Sequence, residues 1–403
     1  MEKSGVRRIL IIAGSVSLFV SYLGIWVRMI SDPVERTGAD FIHFYSAGRI
    51  AQSQGAPYVY DLSLQQKVQE EQVGFSLVPG QVLPYNHIPY LIPILRTIAT
   101  TSYIDSFYRW DSIMLLLYIG GVIILSGLLK QSSLNRGSIV ISAIGSILFL
   151  PVFVSLLNGQ DTAFLFVGAA IWMYGLVSGK EFLAGAGLSL TTVRPHIALI
   201  LALPMLFRHR KVFLAFALSA GGLALLSVLI LGMNGVQDFI DVLLITAGGE
   251  WYGTKQFAMF NLIGLLTRTF PWLEADTIRT FGWTIYGMMT IFLCIFWART
   301  KDLKTGRIGL TVILALFSVP HLHFHDLTLL LIPIYDLVRL SKQDSHLKTS
   351  IATTLPVAIS LILLLSNVSP FLQYSVPYFI MLALAIWPLY AKRQSALIAQ
   401  SQS

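Results

Sequence analysis

Apolar runs follow one another down this chain, separated by short basic loops, and that alternation restricts the fold more than any motif does. The first run, 9–30, is long enough to cross a bilayer, which takes about 20 residues. No small-residue cleavage site follows a short apolar core, so it reads as a retained helix, not a signal peptide. Only 12% of the 403 residues are charged, against roughly 25% in soluble chains. Further runs predict helices at about 109–129, 138–157, 160–178, 182–193, 195–207, 212–232, 280–298, 308–319, 327–340, 350–366 and 372–391. The expectation is an all-α polytopic membrane protein of about twelve transmembrane helices. It forms one domain over residues 1–391, with a polar cytoplasmic tail, 392–403, expected to be disordered. Two long loops interrupt the pattern, 31–109 with short helices of its own, and 233–279. The single cysteine, Cys294, lies within an apolar run and excludes an internal disulfide.

The net charge of +8 would suggest nucleic acid in a soluble protein. Here the basic residues sit in short loops, the pattern of cytoplasmic loops in membrane proteins, and no nucleic-acid partner is expected. Arg7 and Arg8 put the N-terminus inside. Lys130/Arg136, Lys180, Arg208/Arg210/Lys211, Arg299/Lys301/Lys304/Arg307, Arg339/Lys342/Lys348 and Lys392/Arg393 then share that side, provided the weakly apolar piece 88–99 does not span. Both termini are read as cytoplasmic.

The opposite face collects the unusual polar groups: Asp40, the turn Asn158-Gly-Gln-Asp161, Arg194-Pro-His196, the loop with Glu250-Trp-Tyr-Gly253, and the cluster 321–326. The runs from Arg307 to His321 and from Glu181 to Arg194 are too short to cross a hydrocarbon core about 30 Å thick. Both clusters are therefore expected below the outer surface. Irregular polar backbone survives there only when it is buried in protein or lines a wet cavity, and charged groups there are functional candidates.

Each candidate has a plain reading beside the chemical one. Asp40, in "GADFIHFYSAGR", could be a general base for a hydroxyl or the N-cap of a helix over 41–52. Arg194 needs an anionic partner, either Asp161 or Asp326 in an ion pair or a substrate phosphate gripped by its planar fork; His196 beside it could bind the same group. Gln160 and Asp161 could hold sugar hydroxyls or form only a turn. In "VPHLHFHD", His321, His323 and His325 share a face if extended. No cysteine assists and the spacing is not that of a helical zinc motif. The segment reads as a cavity-lining loop that meets phosphate or sugar, Asp326 orienting a ring, or as a satisfied polar plug between two apolar segments, with a metal site the weakest of the three readings.

Taken in order, "GADFIHFYSAGR…GAPYVYD", "LPYNHIPYLIPIL", "NGQ", "RPHIALILALPMLFRHRK" and "SVPHLHFHDLTLLLIP" resemble glycosyltransferase family 87 over most of residues 9–340. The resemblance implies a GT-C type bundle and transfer of a mannose or other hexose or pentose. The donor would be a polyprenyl-phosphate sugar and the acceptor a lipid-linked or other glycan, on the extracytoplasmic face of a bacterial inner membrane. Inversion without metal or cofactor is implied. By position, Asp40 is the base, His325 the best-aligned catalytic histidine, and Arg194, His196 and His323 contact the donor phosphate. His43, Tyr45, Gln160, Asp161, His321 and Asp326 are assigned to sugar or acceptor. One branch of the family carries a Ser-Pro-Ile-Ser-Trp type loop with paired histidines where this chain has 321–326, so His321 and His323 depart from that pattern. Two rival functions fit the same polar face: a transporter or flippase of a lipid-linked or anionic substrate, and a ligase of lipid-linked glycans. The internal symmetry and paired broken helices common in transporters are not visible in the sequence.

Overall fold

The computed structural model describes residues 3–130, 134–248, 255–299, 302–303, 306–341 and 345–401. Every regular element among them is a helix. Six are long and apolar enough to cross a membrane: Ile9–Ser31, Tyr103–Lys130, Arg210–Ala247, Ala275–Ala298, Thr349–Ser366 and Pro370–Trp387. A seventh arises if Arg136–Ile147 and Leu150–Leu157, bent by 44°, form one span. The chain is thus a multi-pass helical membrane protein, with about half the spans expected.

The shortfall has a physical cause. Several apolar runs are cut by glycine, proline or histidine into helices that cannot reach across. Thr162–Val177 has 16 residues, or ~24 Å of rise; Glu181–Leu190 and Leu331–Leu340 have 10 each. Thr162–Val177 and Leu331–Leu340 lie in the interior, while Glu181–Leu190 buries one face and exposes Phe182 and Leu183 on the other. Thr162–Val177 is buried on all sides, as a helix apolar all round should be. The long helices instead expose apolar stripes, such as Leu214, Leu218, Leu225 and Leu229 on Arg210–Gly248. A patch of that kind on a soluble monomer would be a liability; here it reads as a lipid-facing surface.

Three boundaries differ from expectation. The loop assigned to 233–279 is largely helical. Helix Arg210–Gly248 continues past a break at Gly232 (φ 66°, ψ 177°), a conformation open to glycine, and the next span begins at Ala275. The first loop ends earlier than 109, because the helix after it starts at Tyr103. The tail expected to be disordered continues helix Pro370–Ser401. Glu250-Trp-Tyr-Gly253 lies outside the described residues.

The first loop folds onto the bundle. Its helices are Pro33–Thr37, Phe41–Ser53, Leu62–Val73 and Ile92–Ile98. The last has 7 residues, too few to span, as the charge pattern requires. Gly48 lets it dock: a Cβ there would lie 2.6 Å from the Leu95 carbonyl oxygen.

The turn at 158–161 is fixed by a similar close approach. Gly159 has φ +65°, and a Cβ would come within 2.7 Å of Phe41 Cβ. Its carbonyl accepts a hydrogen bond from Trp110 Nε1 at 2.7 Å. Gly159→Ala is expected to destabilise the protein by about 1–3 kcal/mol through backbone strain, read as a lower unfolding temperature in detergent. An unchanged midpoint would contradict the packing described.

Candidate functional site

The site forms where broken helices meet. Four breaks contribute: the start of helix Phe41–Ser53, the turn 158–161, the kink at 191–194, and the irregular stretch 319–323 before the 3-10 helix Phe324–Leu330.

Asp40 occupies the N-cap position of helix Phe41–Ser53 but makes no capping hydrogen bond. Its backbone is already helical (φ −60°, ψ −19°), whereas a capping residue takes extended angles. The carboxylate instead accepts a 2.6 Å hydrogen bond from Gln160 Nε2. The Gln160 Oε1 in turn accepts from Arg194 Nη2 at 3.3 Å. The amide orientation is unambiguous, since a carboxylate can only accept and a guanidinium can only donate.

Arg194 meets both ion-pair partners foreseen for it. Nη1 lies 3.0 Å from Asp161 Oδ1, and Nε lies 3.5 Å from Asp326 Oδ1. Nη1 also donates to the Val193 carbonyl at 3.1 Å. Asp161 and Asp326 are fully buried. Burial alone would raise the Asp161 pKa, but Arg194 and then His87 more than offset it and hold the carboxyl below the usual range. Asp326 is likewise depressed against its burial, by His325 and Arg194.

His87 was missed in the sequence. Its Nδ1 donates to Asp161 Oδ2 at 2.8 Å. The ring stacks on His43 with centroids 4.8 Å apart and planes 15° from parallel. Two buried glutamines of helix Leu62–Val73 hold the segment that delivers it. Gln65 Oε1 accepts from the Tyr85 amide at 2.7 Å, and Gln69 Oε1 accepts from the Leu83 amide at 3.0 Å. Tyr60 then donates to the His87 carbonyl. The signal available was the polar pair Asn86-His87 just before a weakly apolar run.

His43 is buried, and neither ring nitrogen has a hydrogen-bond partner among the described residues; the same is true of His325 Nε2. Burial first, then the neighbouring His87, hold His43 far below its usual value, and burial takes His325 down to about 4. Both rings are therefore neutral near pH 7. Neutral imidazole still has one donor and one acceptor to satisfy, and unmade buried hydrogen bonds are costly.

Three further histidines, His196, His321 and His323, lie at the edge of this cluster. His196 Nε2 donates to the His321 carbonyl at 2.9 Å, so that nitrogen is occupied with holding the loop. Asn261 Nδ2 donates to the Val319 carbonyl at 2.6 Å, and the Phe260 amide to the Leu322 carbonyl at 2.9 Å. Three carbonyls of the irregular segment thus find donors, as buried backbone must. The His323 amide donates to Asp326 Oδ2 at 3.1 Å. The His321 ring meets the His323 ring edge-on at 4.5 Å. Tyr45 is apart from the cluster: its hydroxyl donates to the Thr100 carbonyl at 3.1 Å. The structure therefore assembles Asp40, His43, Gln160, Asp161, Arg194, His325 and Asp326, adds His87, and leaves Tyr45 on another face.

The model of glycosyltransferase family 87 matches residues 89–320. The chain belongs to glycosyltransferase family 87. No curated protein and no solved structure matches it. Membership makes this chain a membrane glycosyltransferase, which takes a sugar from a donor to an acceptor. In this family 87 protein the matched span contains Gln160, Asp161, Arg194 and His196, while Asp40, His87, His323, His325 and Asp326 lie outside it. The latter enter the site through the folded geometry.

Proposed function

We propose that the protein transfers a sugar from a polyprenyl-phosphate donor to a lipid-linked or glycan acceptor, on the extracytoplasmic side of a bacterial inner membrane and on a GT-C type scaffold. The observation that carries this reading is the Asp40 carboxylate. It makes no capping hydrogen bond and is held by Gln160 beside the buried cluster of Arg194, Asp161 and Asp326. In that position Asp40 takes the proton of the acceptor hydroxyl as its oxygen attacks the anomeric carbon. The phosphate leaves on the opposite side of the sugar, which inverts the anomeric centre.

Arg194 is engaged by Asp161, Asp326, Gln160 and the Val193 carbonyl, which takes four of its five donors. Its part in this reading is to hold the carboxylates and, through Gln160, to aim Asp40. The ring nitrogens of His43 and Nε2 of His325, which make no hydrogen bond among the described residues, are then the groups left to donate to the phosphate oxygens, with His323 beside them. Fixed donors of this kind stabilise charge as it develops on a leaving group. His321, Asp161 and Asp326 border the sugar. The short helix Ile92–Ile98 and the segment before it form a wall of the donor groove.

The test is direct transfer. Purified protein is incubated with radiolabelled polyprenyl-phosphate mannose and an extract of membrane-lipid acceptors, then with donors carrying other sugars. A labelled acceptor product from one donor is expected. No product from any polyprenyl-phosphate sugar would remove the donor assignment.

A further inference from the structure

A cavity lies on the first loop, away from the carboxylate–histidine cluster. It has a volume of about 490 Å³, within the 300–1,000 Å³ usual for ligand sites. Helices Phe41–Ser53 and Leu62–Val73 form its walls, each contributing one stripe at helical spacing: Tyr45, Arg49 and Ser53 from the first, Leu64, Lys67, Val68 and Glu71 from the second. Five positions on from Asp40, Tyr45 faces roughly the other side of its helix. Arg49 lies ~13 Å further along the axis than Asp40.

The floor and the rim differ in chemistry. Buried Ile50 and the partly buried Leu64 and Val68 make an apolar floor, next to the ring of Tyr45. The rim is polar: Arg49, Gln54, Lys67, Glu71 and Gln72. The Arg49 guanidinium is braced by Gln52 at 3.0 Å. The side chains of Lys67, Glu71 and Gln72 make no hydrogen bond to other described residues. A ring with an apolar face and a fringe of hydroxyls matches that arrangement. Carboxylate, amide and guanidinium groups around the edge bind adjacent hydroxyls in pairs, accepting from one and donating to the next. A phosphate would gain from Arg49 and Lys67 but would face Glu71 and waste the apolar floor.

We propose that this groove is a carbohydrate-binding subsite for glycosyl units of the acceptor chain remote from the reacting hydroxyl. The inference rests on the transferase reading for the word acceptor, though not for the groove's chemistry. Binding remote units is one way an enzyme holds a reacting group in place. A groove on this loop would favour acceptors that already carry several sugars.

Binding is measured on the full-length protein in lipid nanodiscs by calorimetry, with mannotetraose, maltotetraose and inorganic phosphate as separate probes. In parallel, Lys67 acylation by an amine reagent is followed by mass spectrometry. One of the tetrasaccharides is expected to bind and to slow acylation of Lys67. In the doubly substituted Lys67→Ala, Glu71→Gln protein its affinity should fall at least about tenfold, the effect of losing one charged hydrogen bond. Both positions are exposed, so the variant should fold. Absence of tetrasaccharide binding, binding that leaves Lys67 acylation unchanged, or protection by phosphate alone would each overturn the proposal. Sugar transfer is assayed on the same preparation. Saccharide binding without transfer from any polyprenyl-phosphate sugar would remove the donor assignment and leave the groove standing; transfer without saccharide binding would do the reverse.

Discussion

Asp40→Asn is expected to lower the turnover of sugar transfer by about 10²–10⁴-fold, the range for loss of a general base, with little change in stability. Asparagine keeps the size of the side chain, and its Oδ1 can still accept from Gln160 Nε2, so the contact at 2.6 Å survives in kind. What disappears is the ability to take a proton. The helix-cap alternative makes the opposite prediction. Replacing a capping aspartate changes the unfolding temperature and leaves chemistry alone, and the helical backbone angles at residue 40 already argue against it. Wild type and variant should be compared at saturating acceptor, with unfolding midpoints measured in the same detergent. Equal turnover would take Asp40 out of the chemistry. A second variant, Gln160→Leu, separates aiming from proton transfer. It leaves the carboxylate in place without its hydrogen-bond partner, so turnover should fall less than in Asp40→Asn.

The polar breaks were legible in the sequence because membrane interiors tolerate so few of them. Asn158-Gly-Gln-Asp161, Arg194-Pro-His196 and 319–326 each stand out from apolar surroundings, and each turned out to be a place where a helix stops. What the composition concealed was the consequence of stopping. A run such as 160–178 reads as a span by hydropathy. Yet the helix it forms, Thr162–Val177, is buried on every side, and hydropathy cannot tell a protein interior from lipid. The loop assigned to 233–279 failed for the opposite reason. Gly232 and the polar residues after it look like a terminus, but the helix resumes beyond a single left-handed residue. His87 escaped notice because its significance is wholly tertiary. It meets Asp161 across 74 positions of chain, held there by Gln65 and Gln69, whose burial no local pattern announces.

Arg194→Gln should cost the most stability of any single change at the site. Three carboxylates, Asp40, Asp161 and Asp326, converge on this one guanidinium, two directly and one through Gln160. Asp161 and Asp326 have no exposed surface, so neither can turn to water once the cation is gone. Breaking a buried ion pair by removing one partner typically costs about 3–5 kcal/mol. The loss should appear as a lower unfolding midpoint in detergent, and Arg194→Lys should recover only part of it, because an ammonium cannot reproduce the fork. The sign of the pH dependence follows from the same charges. In the wild type, Asp161 and Asp326 titrate below their ordinary value. Their contribution is present above about pH 4 and is lost as pH falls through their depressed values. His325, taken from 6.5 to about 4, adds to the loss, because the unfolded chain binds its proton first; wild-type stability therefore declines on acidification from about pH 6.5. The Arg194→Gln protein should respond less or even gain on acidification, since protonation relieves the unpaired carboxylates. Adding Asp161→Asn and Asp326→Asn to Arg194→Gln should restore much of the stability at pH 7, because a neutral cluster leaves no charge stranded. Transfer should stay below the wild-type rate, since Gln160 then lacks the guanidinium that holds it against Asp40. If the triple variant is no more stable than Arg194→Gln, the guanidinium matters for packing and not for charge. If it turns over as fast as the wild type, the chain from Arg194 through Gln160 to Asp40 has no part in catalysis.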